Sequence, residues 1–164
     1  DLIGKTLVRN AKNFIILAAD PGEGVEEKIG YASADIMLYA QELGLNTWWV
    51  GASFNKEAVK KESPDHTVYG VISVGYGDNQ GVPHQSKDDF EVSSYEGEAP
   101  QWFKDGVEYA LMAPTAFNRQ LFYIKGKGNT VTIEYKAGEF QGIDTGLVKY
   151  HFEKAAGKEN FNWE

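Results

Sequence analysis

The chain has 164 residues, enough for one domain with a sizeable core, and its 42% apolar and 13% aromatic content is that of a globular protein. A net charge of −8 argues against a nucleic-acid backbone or an anionic membrane as partner. The absence of cysteine excludes disulfide frameworks, thiolate catalysis and Cys-ligated zinc or iron–sulfur centres together, and suits a reducing, cytoplasmic setting.

No apolar run approaches the roughly 20 residues that cross a bilayer, and no signal-peptide pattern opens the chain. The sequence begins at Asp1 with no start signal for an element at "DLIGKT", so we expect a segment to precede it. Asn13–Ala19 is a continuous apolar run ended by Asp20-Pro21-Gly22 and reads as a buried strand. From Glu26 the period lengthens: Ile29, Ala32/Ser33, Ile36, Ala40 and Leu43 form the stripe of an amphipathic helix that Gly44 stops. Thr47–Gly51 reads as a short bulky strand, Asn55–Glu62 as a surface helix capped by Asn55, and Tyr69–Tyr76 as a second buried strand. Gly77 to about Glu98 is a long polar connection of the kind that is functional, disordered or packed over a partner.

Helical period returns over Gln101–Ala113. A hairpin follows, with arms Leu121–Lys125 and Thr130–Tyr135 joined through Gly126-Lys127-Gly128-Asn129, and Val131, Ile133 and Tyr135 share one face. The last helix, about Asp144–Ala156, turns Leu147, His151 and Phe152 inward and stops at Gly157, and Phe161 and Trp163 then alternate as an edge strand. The order of elements predicts an α+β fold in one domain, residues 1–164, rather than a regular βαβ series.

One stretch stands out: Ala113-Pro114-Thr115-Ala116-Phe117-Asn118-Arg119-Gln120 joins a helix to a strand through residues that neither would choose. Pro114 ends the helix. Behind it a hydroxyl, two amides and a guanidinium can meet a planar polar ligand while Phe117 supplies apolar contact. The plainer alternative is a polar loop with a capping Asn. Arg119 and Arg9 are the only guanidinium groups, because fourteen of the sixteen basic residues are Lys, so a bidentate phosphate clamp has few candidates.

The run "APTAFNRQ" resembles the Ala-Pro-Ser-x-x-Asn-x-Gln signature of the nitroreductase family, with Thr115 keeping the hydroxyl and Leu121-Phe122 standing in place of the usual Pro-Trp. "YAQELGLNTWWVG" (Tyr39–Gly51) resembles the family's Gly-Leu-Gly-Thr helix end, with Asn46 in place of the second Gly. "VISVGYG" resembles the Gly-Tyr-Pro stretch before a basic residue near the flavin phosphate, matched here by Lys87, and "GIDTGLVKYHF" (Gly142–Phe152) resembles the Asp-x-Gly helix start. The signature loop follows the Gly-Leu-Gly-Thr segment instead of preceding it, as in a branch whose chain carries two fused half-domains. The corresponding halves here would be residues 1–97 and 98–164.

The resemblance implies a mixed, mainly antiparallel sheet flanked by helices, and an FMN-dependent oxidoreductase that passes electrons from NAD(P)H to nitroaromatic, quinone or similar acceptors. It implies cofactor contacts at Pro114, Thr115, Ala116, Asn118, Arg119, Gln120, Gly44, Leu45 and Lys87, with no catalytic acid or base from the protein. A monomeric pseudo-dimer or a homodimer would hold a small-molecule substrate. The family's early Arg-x-Ser-x-Arg helix is not in the sequence, and Arg9 is not part of such a motif. That leaves a second expectation open, a nitroreductase-like domain that has lost flavin and acts as a binding or interaction module.

Other sites are less well supported. His66, His84 and His151 lack metal-ligand spacing, and His151 reads as an inward helix residue with a satisfied hydrogen bond. Gly75-Tyr76-Gly77 with Gly81 has the wrong last spacing for a dinucleotide fingerprint, and Pro83 opens no helix. Trp48 and Trp49 are expected in the core rather than under a flavin.

Overall fold

A computed structural model describes residues 10–164, and the N-terminal "DLIGKT" stretch and Arg9 lie outside them. Strands β1 (Asn13–Ala19), β2 (Asn46–Val50) and β3 (Thr67–Gly75) form an antiparallel sheet in the order β1-β3-β2. The helices α1 (Val25–Glu42) and α2 (Lys56–Glu62) connect them. Asn55 caps α2 as its sequence requires, its side chain accepting from the Ala58 N–H at 3.1 Å. A coil leads to the one-turn helix α3 (Asp89–Val92) and strand β4 (Ser93–Glu96), so the long connection expected to about Glu98 ends earlier. Helix α4 (Gln101–Ala110), the hairpin β5 (Phe122–Lys127) and β6 (Thr130–Tyr135), helix α5 (Gln141–Ala156) and β7 (Asn162–Trp163) complete the chain. The second sheet runs β4-β5-β6-β7, parallel at both outer pairings and antiparallel in the hairpin. The α+β class holds, with the strands divided between two sheets among the described residues.

The hairpin turn is shorter than expected. Lys127 pairs with Thr130, leaving only Gly128 and Asn129 in the turn, with Gly128 at φ 58°. Gly126 pairs with Val131 in the strand instead, and only a glycine fits there because a Cβ would run into the rings of Tyr95 and Phe103.

The main core lies between the second sheet and helices α4 and α5, where Phe103, Val107, Ile124, Val131, Leu147, Val148 and Phe152 are buried. Full burial of Phe152 alone stabilises the fold by roughly 2 kcal/mol. A smaller cluster of Val50, Val59 and Val71 joins β2 and β3 to α2. Helix α1 crosses α5 closely: a Cβ on Gly30 would collide with the Ile143 carbonyl, and one on Gly146 with the Glu27 carbonyl. The buried side of α1 is accordingly Gly30, Ser33, Ala34 and Ala40, while Leu43, expected inward, is 55% exposed at the helix end. Close backbone approach selects small residues where an apolar stripe would have placed large ones. His151 is buried, with Nδ1 2.8 Å from the Leu147 carbonyl. The Trp pair splits, with Trp49 half-buried and donating to Ser33 Oγ at 3.2 Å and Trp48 about half exposed.

Candidate functional site

The loop after α4 is built from an unusual backbone. Phe117, Asn118 and Gln120 all have positive φ, at 54°, 52° and 49°. For an aromatic residue this conformation costs about 1–2 kcal/mol, so the surroundings must impose it. Four anchors do so. Ala116 N–H donates to both carboxylate oxygens of Asp144, at 3.1 and 3.0 Å. Gln120 N–H donates to Thr115 Oγ1 at 3.1 Å, which explains why a hydroxyl is needed at that position. The buried Gln120 side chain accepts from Lys87 N–H at 2.8 Å and donates to the Leu111 carbonyl at 3.0 Å. Asn118 Nδ2 donates to the Gln85 carbonyl at 2.7 Å.

These bonds assign the expected residues to different tasks. Thr115, Asn118 and Gln120 hold the loop to itself and to the coil before α3. Lys87 joins them, its Nζ donating to the Gln120 carbonyl at 2.9 Å. Pro114 and Ala116 set the chain's path. Phe117, 81% exposed, and Arg119, whose guanidinium lies 5.0 Å over the Phe117 ring, face outward. Among the described residues Arg119 makes no ion pair. Gly44 and Leu45 sit elsewhere, closing α1 through Gly44 N–H to Gln41 O and Leu45 N–H to Ala40 O, both 2.9 Å. Gly44 takes φ 74°, and neither residue lines the cavities beside the loop.

A cavity of about 160 Å³ opens beside the loop, walled by Phe117, Arg119, Leu121, Tyr135, Phe140 and Asp144. Through Tyr135, Gly138 and Gln141 it shares a wall with a groove of about 720 Å³. Both carry more acidic than basic groups: Glu26, Glu27 and Glu164 line the groove with Lys149, which pairs with Glu27 at 2.7 Å, and Glu139 and Asp144 line the smaller cavity with Arg119. Arg119 is the cationic group at the smaller cavity suited to a phosphate, while Lys87 lines neither cavity.

Two residues in the cavity wall were not anticipated as site residues. Tyr135 donates to Asp144 Oδ2 at 2.5 Å, and Asp144 is only 4% exposed. Burial pushes the Asp144 carboxyl above its ordinary value, against the opposing pull of Tyr135 and the Ala116 N–H. Burial first, and then the neighbouring carboxylate, push the Tyr135 hydroxyl up. In the sequence Asp144 marks only a helix start; its spacing from the loop carries no signal, because 28 residues separate it from Ala116.

Among the described residues no three His, Asp or Glu side chains gather as a metal site, and no helix is long and apolar enough to cross a membrane. His66 meets Asp20 at 3.1 Å and His84 meets Ser86 at 3.1 Å, far apart in the chain from each other's partners.

The fold is similar to that of a protein from Thermotoga maritima MSB8 described as a putative nitroreductase, with a TM-score of 0.70 at 20% identity over 97% of this chain and 69% of that one. No curated protein sequence is significantly similar to the chain. Residues 2–156 match the family described as "Putative TM nitroreductase", a span that takes in the first sheet, strands β4 to β6 of the second, the strained loop and all of α5, and the chain belongs to that family.

Proposed function

We propose that the protein is an FMN-dependent oxidoreductase, with NAD(P)H as donor and a nitroaromatic, quinone or similar small molecule as acceptor. The observation that carries this reading is the 113–120 loop, in which three left-handed residues turn outward, beside a cavity, an aromatic ring and a guanidinium that makes no ion pair among the described residues. Strain of this kind persists where a site requires it.

The donor set fits a planar group that carries a phosphate. Phe117 supplies an apolar face, Arg119 a forked donor for the ring edge or the phosphate, and Lys87 further ammonium protons beyond the one given to the Gln120 carbonyl. The chemistry that FMN brings when bound is two-electron transfer, accepting hydride from a reduced nicotinamide and returning it to an acceptor. The residues of this chain orient and polarise. Asn118 and Gln120 act indirectly by fixing the backbone that presents Phe117 and Arg119, since their amides are bonded within the fold. The chain is read as a single domain with half-repeats 1–97 and 98–164, although β4 (Ser93–Glu96) of the first half pairs into the sheet of the second.

That same commitment of the two amides favours one other reading, a family member that binds no flavin and serves as an interaction module. Titration of the full-length protein with FMN, followed by quenching of flavin fluorescence with riboflavin as the phosphate-free control, separates the two. We expect FMN to bind more tightly than riboflavin, and Arg119→Ala to lose about tenfold in FMN affinity at an unchanged thermal midpoint. Absence of quenching by a folded protein would move the assignment to the module.

A further inference from the structure

Asp144 is a buried carboxylate with an unusual set of partners. It lies in the first turn of α5, where the helix dipole favours a negative charge, yet its side chain turns away from its own helix. It reaches Tyr135 on β6 and the Ala116 N–H in the loop, and among the described residues no Lys or Arg forms an ion pair with it. A buried anion without a cation is costly, and two donors offset that cost only in part. A neutral residue of the same size would satisfy the fold at least as well.

We propose that Asp144 is a positioning residue: its carboxylate, gripped by Tyr135, clamps the Ala116 N–H and thereby holds Phe117 and Asn118 in the left-handed conformation that presents the Phe117–Arg119 face. The role of that face as a flavin contact rests on the function proposed above; the clamp itself does not. Three elements meet at this one carboxylate, and among the described residues it is the only side chain that Ala116 N–H is bonded to. Arg119 and Glu139 share the wall of the adjoining cavity with Asp144. Upward displacement of the carboxyl by burial agrees with a group kept for its position at a cost to stability.

The test is Asp144→Asn in the full-length protein, with Tyr135→Phe beside it. Asparagine keeps the volume but loses the charge-assisted grip, so amide hydrogen exchange at Ala116–Gln120 should quicken about tenfold. The thermal midpoint of Asp144→Asn should stay level or rise. Tyr135→Phe should quicken the same amides less, because the carboxylate remains. A merely structural Asp144 predicts the reverse, with the midpoint falling and exchange rising throughout α5 and β6. That result, an Asn variant that does not fold, or loop exchange unchanged would each overturn the proposal. FMN quenching in the same variants separates the two claims. Wild-type protein that binds no FMN removes the flavin reading and leaves the exchange result to decide the clamp; wild-type protein that binds FMN, with Asp144→Asn loosened in the loop, should show weaker binding.

Discussion

Two neighbouring positions on α5 hold the molecule in opposite ways. At Gly146 the helix meets α1 with no side chain between, so that a Cβ would collide with the Glu27 carbonyl. At Asp144, two positions earlier, a charged side chain reaches out to hold a strained loop at a few hydrogen bonds. The crossing is specified by what is absent and tolerates no addition. The loop is specified by polar groups, and its strain is available to a ligand. A rigid joint thus stands directly behind an adjustable surface, which is the arrangement that positions a binding loop precisely.

The largest effect should come from the crossing. Gly146→Ala forces α1 and α5 apart and should cost about 3 kcal/mol or more, read as a lower midpoint in denaturant unfolding. A loss below about 1 kcal/mol would mean that the joint can give and that the contrast with the loop is weaker than drawn. The loop should respond in the other direction. Phe117→Gly relieves about 1–2 kcal/mol of left-handed strain and loses roughly 0.5–1 kcal/mol to the greater freedom of the unfolded glycine. The net expectation is a gain of roughly 0.5–1 kcal/mol in stability, accompanied by weaker FMN binding as the aromatic face disappears. Stability that falls on this substitution would show that Phe117 supports the fold.

The smallest effect concerns pH. Burial, opposed by the Leu147 carbonyl and reinforced by His84, holds the His151 imidazole below its ordinary 6.5. Between the two values the unfolded chain binds a proton that the folded chain does not, so stability rises with pH through that window and is lost as pH falls below about 6.5. His151→Gln should flatten this part of the profile of unfolding midpoints. Asp144 contributes in the opposite sense: with its carboxyl raised in the folded state, stability falls as pH rises from 3.8 through the folded value. Identical pH profiles for wild type and His151→Gln would mean that burial does not perturb this imidazole, and would detach it from the rigid region.

Much of the framework was legible because it rests on local rules. The apolar run Asn13–Ala19, the Asn55 cap, the alternation of Val131, Ile133 and Tyr135 and the Gly157 stop each depend on neighbours within a few residues. Local rules also misled in identifiable places. Gly126 reads as a turn residue but serves a strand, since two rings from other elements occupy the space of its side chain. Leu43 continues a helical period beyond the part of α1 that α5 covers. In the site, the loop's composition showed that something unusual stood between α4 and β5, whereas the division of labour within it did not appear: Asn118 and Gln120 are bonded inward, and Phe117 and Arg119 face out.

By itself the sequence determined the element types and the polar chemistry of the loop, because capping, periodicity and backbone restriction act over a few residues, although α4 ends at Ala110 and not at the Ala113 that Pro114 suggested. Tertiary structure alone decided that Asp144 and Tyr135 meet at Ala116, that two glycines let α1 lie against α5, and that Gly44 and Leu45 stand apart from the loop's cavities. Those relations join residues far apart in the chain, and only the packed backbone brings a carboxylate to a donor 28 residues away, where burial gives the contact its strength.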